Sequence, residues 1–291
     1  MEASVVLRAP AKLNLTLEVL ERRADERLHA LRSLMVPIDL YDEIEICEHP
    51  RFTFECDTPG LENNNLIVSA LAALNLTSAP LRVRLRKRIP VGAGMGGGSS
   101  DAAAVLLAAQ RGVFGDLGPV DYLGHAIALG SDVPFFLTGT AALVEGFGER
   151  VTSAGTCPRW FATVVSPPVA VSTSAAFERL DAAPRCSRPR NTSVSLRALA
   201  ALQRAEFDSV HGLLQNDFDA VVGSDVPEVA CALDALRKTG AKPLVTGSGS
   251  SVFALERSCA KRDAVADALL LPDGYRVHRV ALISSSDWRT S

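Results

Sequence analysis

The stretch GAGMGGGSSDAAA, from Gly92 to Ala104, places five glycines in seven residues and then changes to helix-forming sequence. Glycine adopts positive φ without strain and lets backbone N–H groups approach a ligand with no Cβ in the way. Ser99, Ser100 and Asp101 are residue types that cap helices, so a helix is predicted to begin there. Because a helix N-terminus offers unpaired N–H donors and partial positive charge, the stretch predicts a phosphate-binding loop.

The same glycines fit two other loop signatures only in part. Gly92, Gly94 and Gly97 satisfy G-x-G-x-x-G, but that fingerprint needs a buried strand before it and an acidic residue ending a second strand about 20 residues later. Here the preceding strand carries three arginines on one face and is interrupted by Pro90, and a helix end and a loop follow at that distance. No Gly-Lys-Ser/Thr closes a Walker A loop. The interpretation that remains is a phosphate-binding loop of neither of these two types.

Two charged residues elsewhere could act on a phosphoryl group held at this loop. Lys12 lies in PAKLNL and Asp132 lies in GSDVP. A carboxylate that accepts the proton of a hydroxyl nucleophile contributes ~10²–10⁴-fold in rate. A fixed ammonium steadies charge on the attacking oxygen and the phosphoryl group. On pattern alone, the plainer interpretation is favoured for each residue, namely a solvated lysine on a strand and an aspartate in a turn.

The surrounding elements must bring these residues together. Hydrophobic and polar residues alternate from Lys12 onward, which predicts a strand with one buried face and one polar face that carries Lys12 and Asn14. The helical pattern before Asp132 ends at Gly130, and Pro134 is expected to stop that helix from resuming. Strands and helices mix in the first half, with sheet that is half exposed. This favours an α+β fold with largely antiparallel pairing.

Composition narrows the class of protein. The formal net charge of −3 argues against a nucleic-acid binder with a broad basic face. The six cysteines are scattered without a C-x-x-C pair, which indicates reduced thiols rather than a disulfide scaffold or a zinc site. No secretory signal pattern and no apolar run of ~18 residues is present, so the expected location is cytoplasmic, without a membrane partner.

Three motifs together resemble those of the GHMP kinases. PVGAGMGGGSSDAAAVL resembles their glycine-rich motif, APAKLNLTL their N-terminal motif and TGSGSSVFAL their C-terminal glycine motif, in the expected order. The spelling of PAKLNL, the GGGSSDAA loop and LGSDVPFFL is similar to members that phosphorylate the 2-hydroxyl of a cytidine diphosphate-linked methylerythritol. The resemblance implies ATP and Mg²⁺ as cofactors and a small-molecule substrate. It also implies a ribosomal S5 domain 2-like domain over residues 1–155 and a ferredoxin-like domain over 156–291.

The resemblance also implies roles for individual residues. Lys12 and Asp132 would be the catalytic pair. The ATP-binding residues would be Pro90, Val91, Gly92, Ala93, Gly94, Met95, Gly96, Gly97, Gly98, Ser99, Ser100 and Asn65. The substrate-binding residues would be Asn14, His29, Thr173, Phe177, Thr246, Gly247, Ser248 and Gly249. The metal ligands stay open, with Ser100 as one candidate.

One segment departs from the family pattern. The family reads A-D-G-Y-H where this chain has ADERLHAL, one residue longer, without the glycine and with Leu28 where the tyrosine would stand. Leucine lacks the π-face that makes aromatic–base stacking worth ~1–3 kcal/mol. This weakens the cytidine preference and leaves another small alcohol, such as homoserine, mevalonate or a sugar, as the alternative acceptor. A nucleotide-binding regulator without catalysis is a further alternative, against which the presence of both Lys12 and Asp132 argues.

Overall fold

The computed structural model describes residues 4–20, 29–183 and 193–284, which form an α+β structure with two sheets. The elements follow in this order: β1 Ser4–Val19, β2 Leu31–Glu48, β3 Thr53–Cys56, α1 Leu66–Ala73, β4 Leu81–Arg86, α2 Gly97–Gln110, α3 Tyr122–Leu129, α4 Val133–Thr138, β5 Ala142–Gly146, β6 Arg150–Ser153, β7 Phe161–Ser166, α5 Thr173–Ala182, α6 Val194–Gln203, α7 Phe207–Leu213, β8 Gln215–Asn216, α8 Asp219–Asp225, α9 Pro227–Lys238, β9 Pro243–Val245, β10 Val252–Glu256, α10 Cys259–Asp267 and β11 Arg276–Ala281.

The first sheet has seven strands and is built around the long pair β1 and β2. Its order is β3-β4-β2-β1-β8, and β5 pairs with β2 and with β6. The pairs β1–β2, β2–β4, β2–β5 and β5–β6 are antiparallel, whereas β1–β8 and β3–β4 are parallel. The expectation of an α+β fold with largely antiparallel pairing is therefore confirmed.

From Ala9 onward, strand β1 is buried on both faces, so the expectation of a half-exposed sheet is wrong for this part of the strand. Its leucines pack in the core, and Lys12, Asn14, Thr16 and Glu18 on the other face are each at most 2% exposed. The cover comes from the second half of the chain: Thr16 Oγ1 donates to Ser195 Oγ at 2.7 Å. An alternating pattern identifies which side chains share a face but not which distant segment covers that face.

Glu18 shows how this cover is made. Its carboxylate accepts hydrogen bonds from the hydroxyl of Ser193 and from the backbone N–H groups of Val194 and Ser195, at the start of α6. Burial acts to raise the pKa of Glu18, but these hydrogen bonds outweigh it and hold the pKa below its ordinary value. An ionised carboxylate on β1 thus caps the N-terminus of α6 from another part of the chain.

The second sheet has the order β11-β7-β10-β9, and its pairs are antiparallel. One core cluster joins the two sheets, since it contains Leu13 and Leu15 of the first with Val164 and Phe253 of the second. Strand β8 comes from the later part of the chain but pairs with β1. The division into domains at residues 155 and 156 stays a prediction.

Helix α4 corrects the expectation at Pro134. Helix α3 ends at Leu129, but a new helix begins at Val133 with Pro134 in its first turn. Proline is favoured there because its missing N–H has no intrahelical partner in any case. The five cysteines that the structure describes are free, and Cys186 lies outside the described residues. Within the described ranges, no helix has both the length and the hydropathy needed to cross a membrane.

Candidate active site

The glycine-rich stretch forms the entry to helix α2. The helix begins at Gly97, two residues before the predicted start at Ser99, and Gly96 precedes it with φ of 72°. Residues with a side chain rarely adopt that conformation. The helix therefore begins directly after a glycine and not at the serines. No side chain caps this end. Ser99 and Ser100 therefore lie inside the first turn, where the N–H groups at the helix start can face a ligand.

The loop before the helix is held on three sides by backbone hydrogen bonds. Lys12 N donates to Met95 O at 3.0 Å, Val171 N to Gly92 O at 3.3 Å and Ser251 N to Ala93 O at 3.1 Å. At Gly94, with φ of 75°, a Cβ would overlap the carbonyl oxygen of Thr246. The glycine motif and the C-terminal glycine motif thus touch through main chain, and that contact leaves no room for a side chain.

Lys12 is buried beside this loop and meets three groups. Its Nζ donates to Asn14 Oδ1 at 2.5 Å and to Gly94 O at 2.7 Å, and it lies 3.7 Å from Asp132 Oδ2. Burial lowers the pKa of Lys12, while the Asp132 carboxylate acts in the opposite direction and favours the ammonium. The Asp132 side chain is 28% exposed, against 3% for Lys12. The pair therefore joins a buried cation to a carboxylate that a substrate can reach.

Asp132 owes its position to the gap between two helices. It occupies the N-cap position of α4 but makes no capping hydrogen bond to that helix with its side chain. The carboxylate is therefore not used locally and can face Lys12. The sequence expectation placed Asp132 in a turn after α3, and the turn between α3 and α4 is where it lies.

A cavity of about 440 Å³ connects these groups. It is an open cleft between the glycine-rich loop, β1, the start of α5 and the loop after β9. Among the predicted site residues, those that line it are Lys12, Asn14, Asn65, Pro90 to Ser99, Asp132, Thr173, Phe177, Gly247, Ser248 and Gly249.

Known proteins are similar to this chain over most of its length. A family model described as the GHMP kinases N terminal domain matches residues 65–140. A 4-diphosphocytidyl-2-C-methyl-D-erythritol kinase of Thiobacillus denitrificans is 40% identical over 272 residues, which cover 91% of this chain and 90% of that protein. The enzyme of the same name from Citrifermentans bemidjiense is 36% identical and covers 90% of this chain and 93% of its own length. This chain belongs to the 4-diphosphocytidyl-2-C-methyl-D-erythritol kinase family.

Solved structures agree with this family. A crystal structure of a 4-(cytidine 5'-diphospho)-2C-methyl-D-erythritol kinase matches with a TM-score of 0.78 and 33% identity, covering 96% of this chain and 100% of that chain. A homoserine kinase from Cytophaga hutchinsonii matches with a TM-score of 0.68 at 18% identity, covering 98% and 96%. The second likeness shows the fold alone. The predicted GHMP kinase resemblance and fold are thereby confirmed.

The remaining predicted residues of this family member differ in how they meet the cavity. Thr246 is fully buried behind it, and its hydroxyl bonds to Asn14. His29 reaches the cavity wall through Phe177, on which its ring stacks with centroids 5.9 Å apart. Asn65 lines the cavity but also caps α1, since its Oδ1 accepts from Ile67 N at 2.9 Å. Leu28 lies outside the described residues.

The sequence interpretation missed a buried charge cluster under the glycine-rich loop. Lys87 Nζ forms ion pairs with Asp42 and, at 2.9 Å, with Asp101 Oδ2. Asp42 also accepts from the backbone N–H groups of Arg88 and Ile89. The cluster therefore ties the strand that enters the loop to β2 and to the second turn of α2, and so anchors both ends of the loop.

A signal for this cluster was present in the alternation of the strands. Lys87 has the same parity as the inward-facing Val83 and Leu85, and Asp42 has the same parity as Ile44 and Ile46. A charged residue at a position of apolar parity is either a strand end or a buried ion pair. Here it is the second.

Asp101 gives this cluster a testable pH dependence. Burial raises the pKa of Asp101 from its ordinary 3.8 to about 7, and Asp42 adds to the effect while Lys87 opposes it. The folded state then holds this proton more tightly than the unfolded chain does. The stability contribution of Asp101 is therefore full below its unfolded pKa and is lost as the pH rises towards 7.

We expect Asp101→Asn to remove this loss, because asparagine keeps an acceptor for Lys87 without the second buried negative charge. Between about pH 5 and pH 8, the melting temperature of the unmodified protein should fall by at least about 2 °C more than that of the variant. Thermal unfolding followed by circular dichroism measures this, with the exposed Asp116→Asn as control. Equal pH slopes for the unmodified protein and Asp101→Asn would contradict the expectation.

Proposed function

We propose that this protein transfers the γ-phosphoryl group of ATP to the 2-hydroxyl of 4-diphosphocytidyl-2-C-methyl-D-erythritol. The observation that carries the proposal is the buried Lys12 ammonium 3.7 Å from the accessible Asp132 carboxylate, beside a loop of bare backbone. This arrangement joins a phosphate cradle to a proton acceptor, which a kinase with an alcohol acceptor requires. The names of the curated relatives supply the identity of the acceptor.

The loop fits the triphosphate of ATP. Gly96 is the N-cap residue of α2 and has no side chain to cap the helix, so no capping side chain occupies the N–H groups of the first turn. At Gly97 a Cβ would come within 3.1 Å of Ile89 and Lys87, so a larger residue would disturb the loop wall. Bound here, ATP would supply the transferred phosphoryl group, with Mg²⁺ neutralising its charge.

The fit to Mg²⁺ rests on fewer groups. Among residues 4–20, 29–183 and 193–284, no three His, Cys, Asp or Glu side chains are arranged to hold a metal ion. Ser100 is not among the residues that line the cavity, but it lies between Ser99 and Asp101, which do, and its buried Oγ finds no hydrogen-bond partner in the described part of the chain. A buried hydroxyl without a partner is costly unless a ligand uses it. We therefore propose Ser100 as the residue that would hold the cation, with phosphate oxygens supplying further ligands.

The catalytic roles follow from the chemistry of each side chain. Asp132 would accept the proton of the acceptor hydroxyl as the oxygen of that hydroxyl bonds to phosphorus. Lys12 has three N–H donors, of which two bond to Asn14 and Gly94. The third would face the reacting oxygens and stabilise the charge that develops there.

The cytidine end of the acceptor would lie against the part of the cavity wall that Thr173, Phe177 and Ser248 form. The hydroxyl oxygens of Thr173 and Ser248 are 3.1 Å apart. The ring of Phe177 is fixed edge-on against Phe218, with centroids 5.0 Å apart. A fixed aromatic ring offers a stacking face to a base, and the two hydroxyls offer donors and acceptors to its sugar or phosphates. A cytoplasmic location stays a prediction from the sequence.

A panel of acceptors tests the proposal. With coupled detection of ADP, kcat/KM for 4-diphosphocytidyl-2-C-methyl-D-erythritol should exceed that for homoserine, mevalonate and galactose by at least ~10²-fold, because the cytidine end contributes binding that small alcohols lack. A reaction without acceptor measures background ATP hydrolysis. No turnover of the cytidyl substrate, or a preference for one of the small alcohols, would overturn the assignment.

A further inference from the structure

Behind Lys12, a chain of buried hydrogen bonds runs along β1 to Ser33 on β2. The side chains of Asn14 and Ser33 are fully buried. Asn14 Nδ2 donates to Ser33 Oγ at 2.8 Å, and Ser33 Oγ donates to the carbonyl oxygen of Thr16 at 2.6 Å. The register of β1 against β2 shifts between Asn14 and Thr16, which is where Ser33 makes these contacts.

The hydrogen positions in this series of hydrogen bonds can be assigned. A carbonyl oxygen only accepts, so the single Ser33 hydroxyl proton must go to Thr16 O. Ser33 Oγ can then offer Asn14 nothing but a lone pair, and Asn14 must turn its NH₂ group towards it. The amide oxygen consequently faces the opposite way, where it accepts from Lys12 Nζ at 2.5 Å, from Gly247 N at 2.8 Å and from Thr246 Oγ1 at 3.2 Å. The reversed amide would set its NH₂ group against the N–H donors of Lys12 and Gly247.

We propose that Ser33 is a positioning residue, whose hydroxyl fixes the orientation of the Asn14 amide and thereby holds the Lys12 ammonium beside Asp132. This inference rests on the proposed kinase function for its consequence, but the orientation itself does not. Ser33 acts through two other side chains and need not touch substrate. Since the amide oxygen also holds Gly247, the same hydroxyl aligns Lys12 with the loop after β9.

The chain offers a matched control in Ser195. This serine is also fully buried and also bonds to β1, because Thr16 Oγ1 donates to its hydroxyl at 2.7 Å. The Ser195 hydroxyl in turn lies 3.3 Å from the carbonyl oxygen of Arg32. Ser195→Ala thus removes a buried hydroxyl that, like that of Ser33, bonds to Thr16 of β1, although Ser195 lies on α6 and Ser33 on β2. The hydrogen bonds that link Ser33 to Lys12 stay intact in this variant.

Steady-state kinetics give the first test. Ser33→Ala should lower kcat by between about 10-fold and 10²-fold, with both KM values changed less than about threefold, because small misplacements of a reacting group have costs of this size. Ser195→Ala should keep kcat, although both variants should melt at lower temperature. In an Asn14→Ala background, Ser33→Ala should have no further effect on kcat. An unchanged kcat in Ser33→Ala, or equal losses in both serine variants, would overturn the proposal.

A second test does not depend on activity. The chain has five lysines, so Lys12 can be followed by NMR of ¹³C-labelled lysine and assigned with Lys12→Met. The Asn14 oxygen stabilises the charged ammonium, so its loss should lower the pKa of Lys12 further in Ser33→Ala and not in Ser195→Ala. The same Lys12 titration in all three proteins would contradict the assigned orientation. An inactive unmodified protein with the expected titrations would instead contradict the proposed function alone.

Discussion

The Asp132→Asn variant is expected to lose at least ~10²-fold in kcat, because the carboxylate that we propose as acceptor of the hydroxyl proton becomes a neutral amide. Binding of ATP should change little, since the proposed cradle is backbone of the glycine-rich loop and Asp132 lies outside it. Steady-state kinetics with the cytidyl acceptor measure the first quantity, and calorimetry with an unreactive ATP analogue measures the second.

The control for Asp132→Asn is Asp116→Asn, which removes a negative charge from the exposed turn after α2. This variant should keep the kcat of the unmodified protein. Normal turnover by Asp132→Asn would show that another group accepts the proton. A selective loss of ATP affinity would place Asp132 in nucleotide binding.

The second large effect is expected from Lys12→Met, with a loss of ~10²–10³-fold in kcat, the size found when one preorganised donor to a developing charge is removed. Methionine approximates the length of the lysine side chain and so avoids an empty cavity in this buried position. The loss should appear in kcat because the remaining Lys12 N–H is proposed to act on the reacting oxygens. The control is Lys238→Met, on the exposed side of α9, which removes the same charge and should leave kcat unchanged.

The distribution of the loss between kcat and KM decides what Lys12 does. A variant that changed only KM for ATP would show that Lys12 contributes binding and no stabilisation of the transition state. The pH dependence of kcat of the unmodified protein at alkaline pH gives an independent check. Because burial lowers the pKa of Lys12, activity should decline at a pH at which an ordinary lysine is still protonated.

Local patterns predicted what depends on local backbone. The glycine spacing gave the loop, since residues such as Gly96 need positive φ that few other residues adopt. The motifs around Lys12 and Asp132 gave two residues that the structure brings to 3.7 Å. The alternation in β1 correctly grouped Lys12 with Asn14 on one face.

The features that could not be predicted from the sequence depend mostly on contacts between distant parts of the chain. The polar face of β1 reads as exposed because nothing near Lys12 reveals that residues 193–195 and 246–247 will cover it. The roles of Asn14 and Ser33 depend on Gly247 and Thr16, and so on the register of β1 and β2. Pro134 was misjudged because proline both ends helices and begins them, and only the position of the next turn distinguishes the two.

The short strand β8 bears on how the protein comes to be made. It pairs with β1 nearly 200 residues earlier, and Asn216 within it donates to the carbonyl oxygens of Val245 and Gly247. During synthesis, most of the polypeptide must therefore emerge from the ribosome before β1 can pair with β8. A truncated product that stopped after β6 would leave Glu18 without its partners at the start of α6 and would take Gly247 away from Asn14. The glycine-rich loop and Lys12 therefore do not constitute a transplantable module.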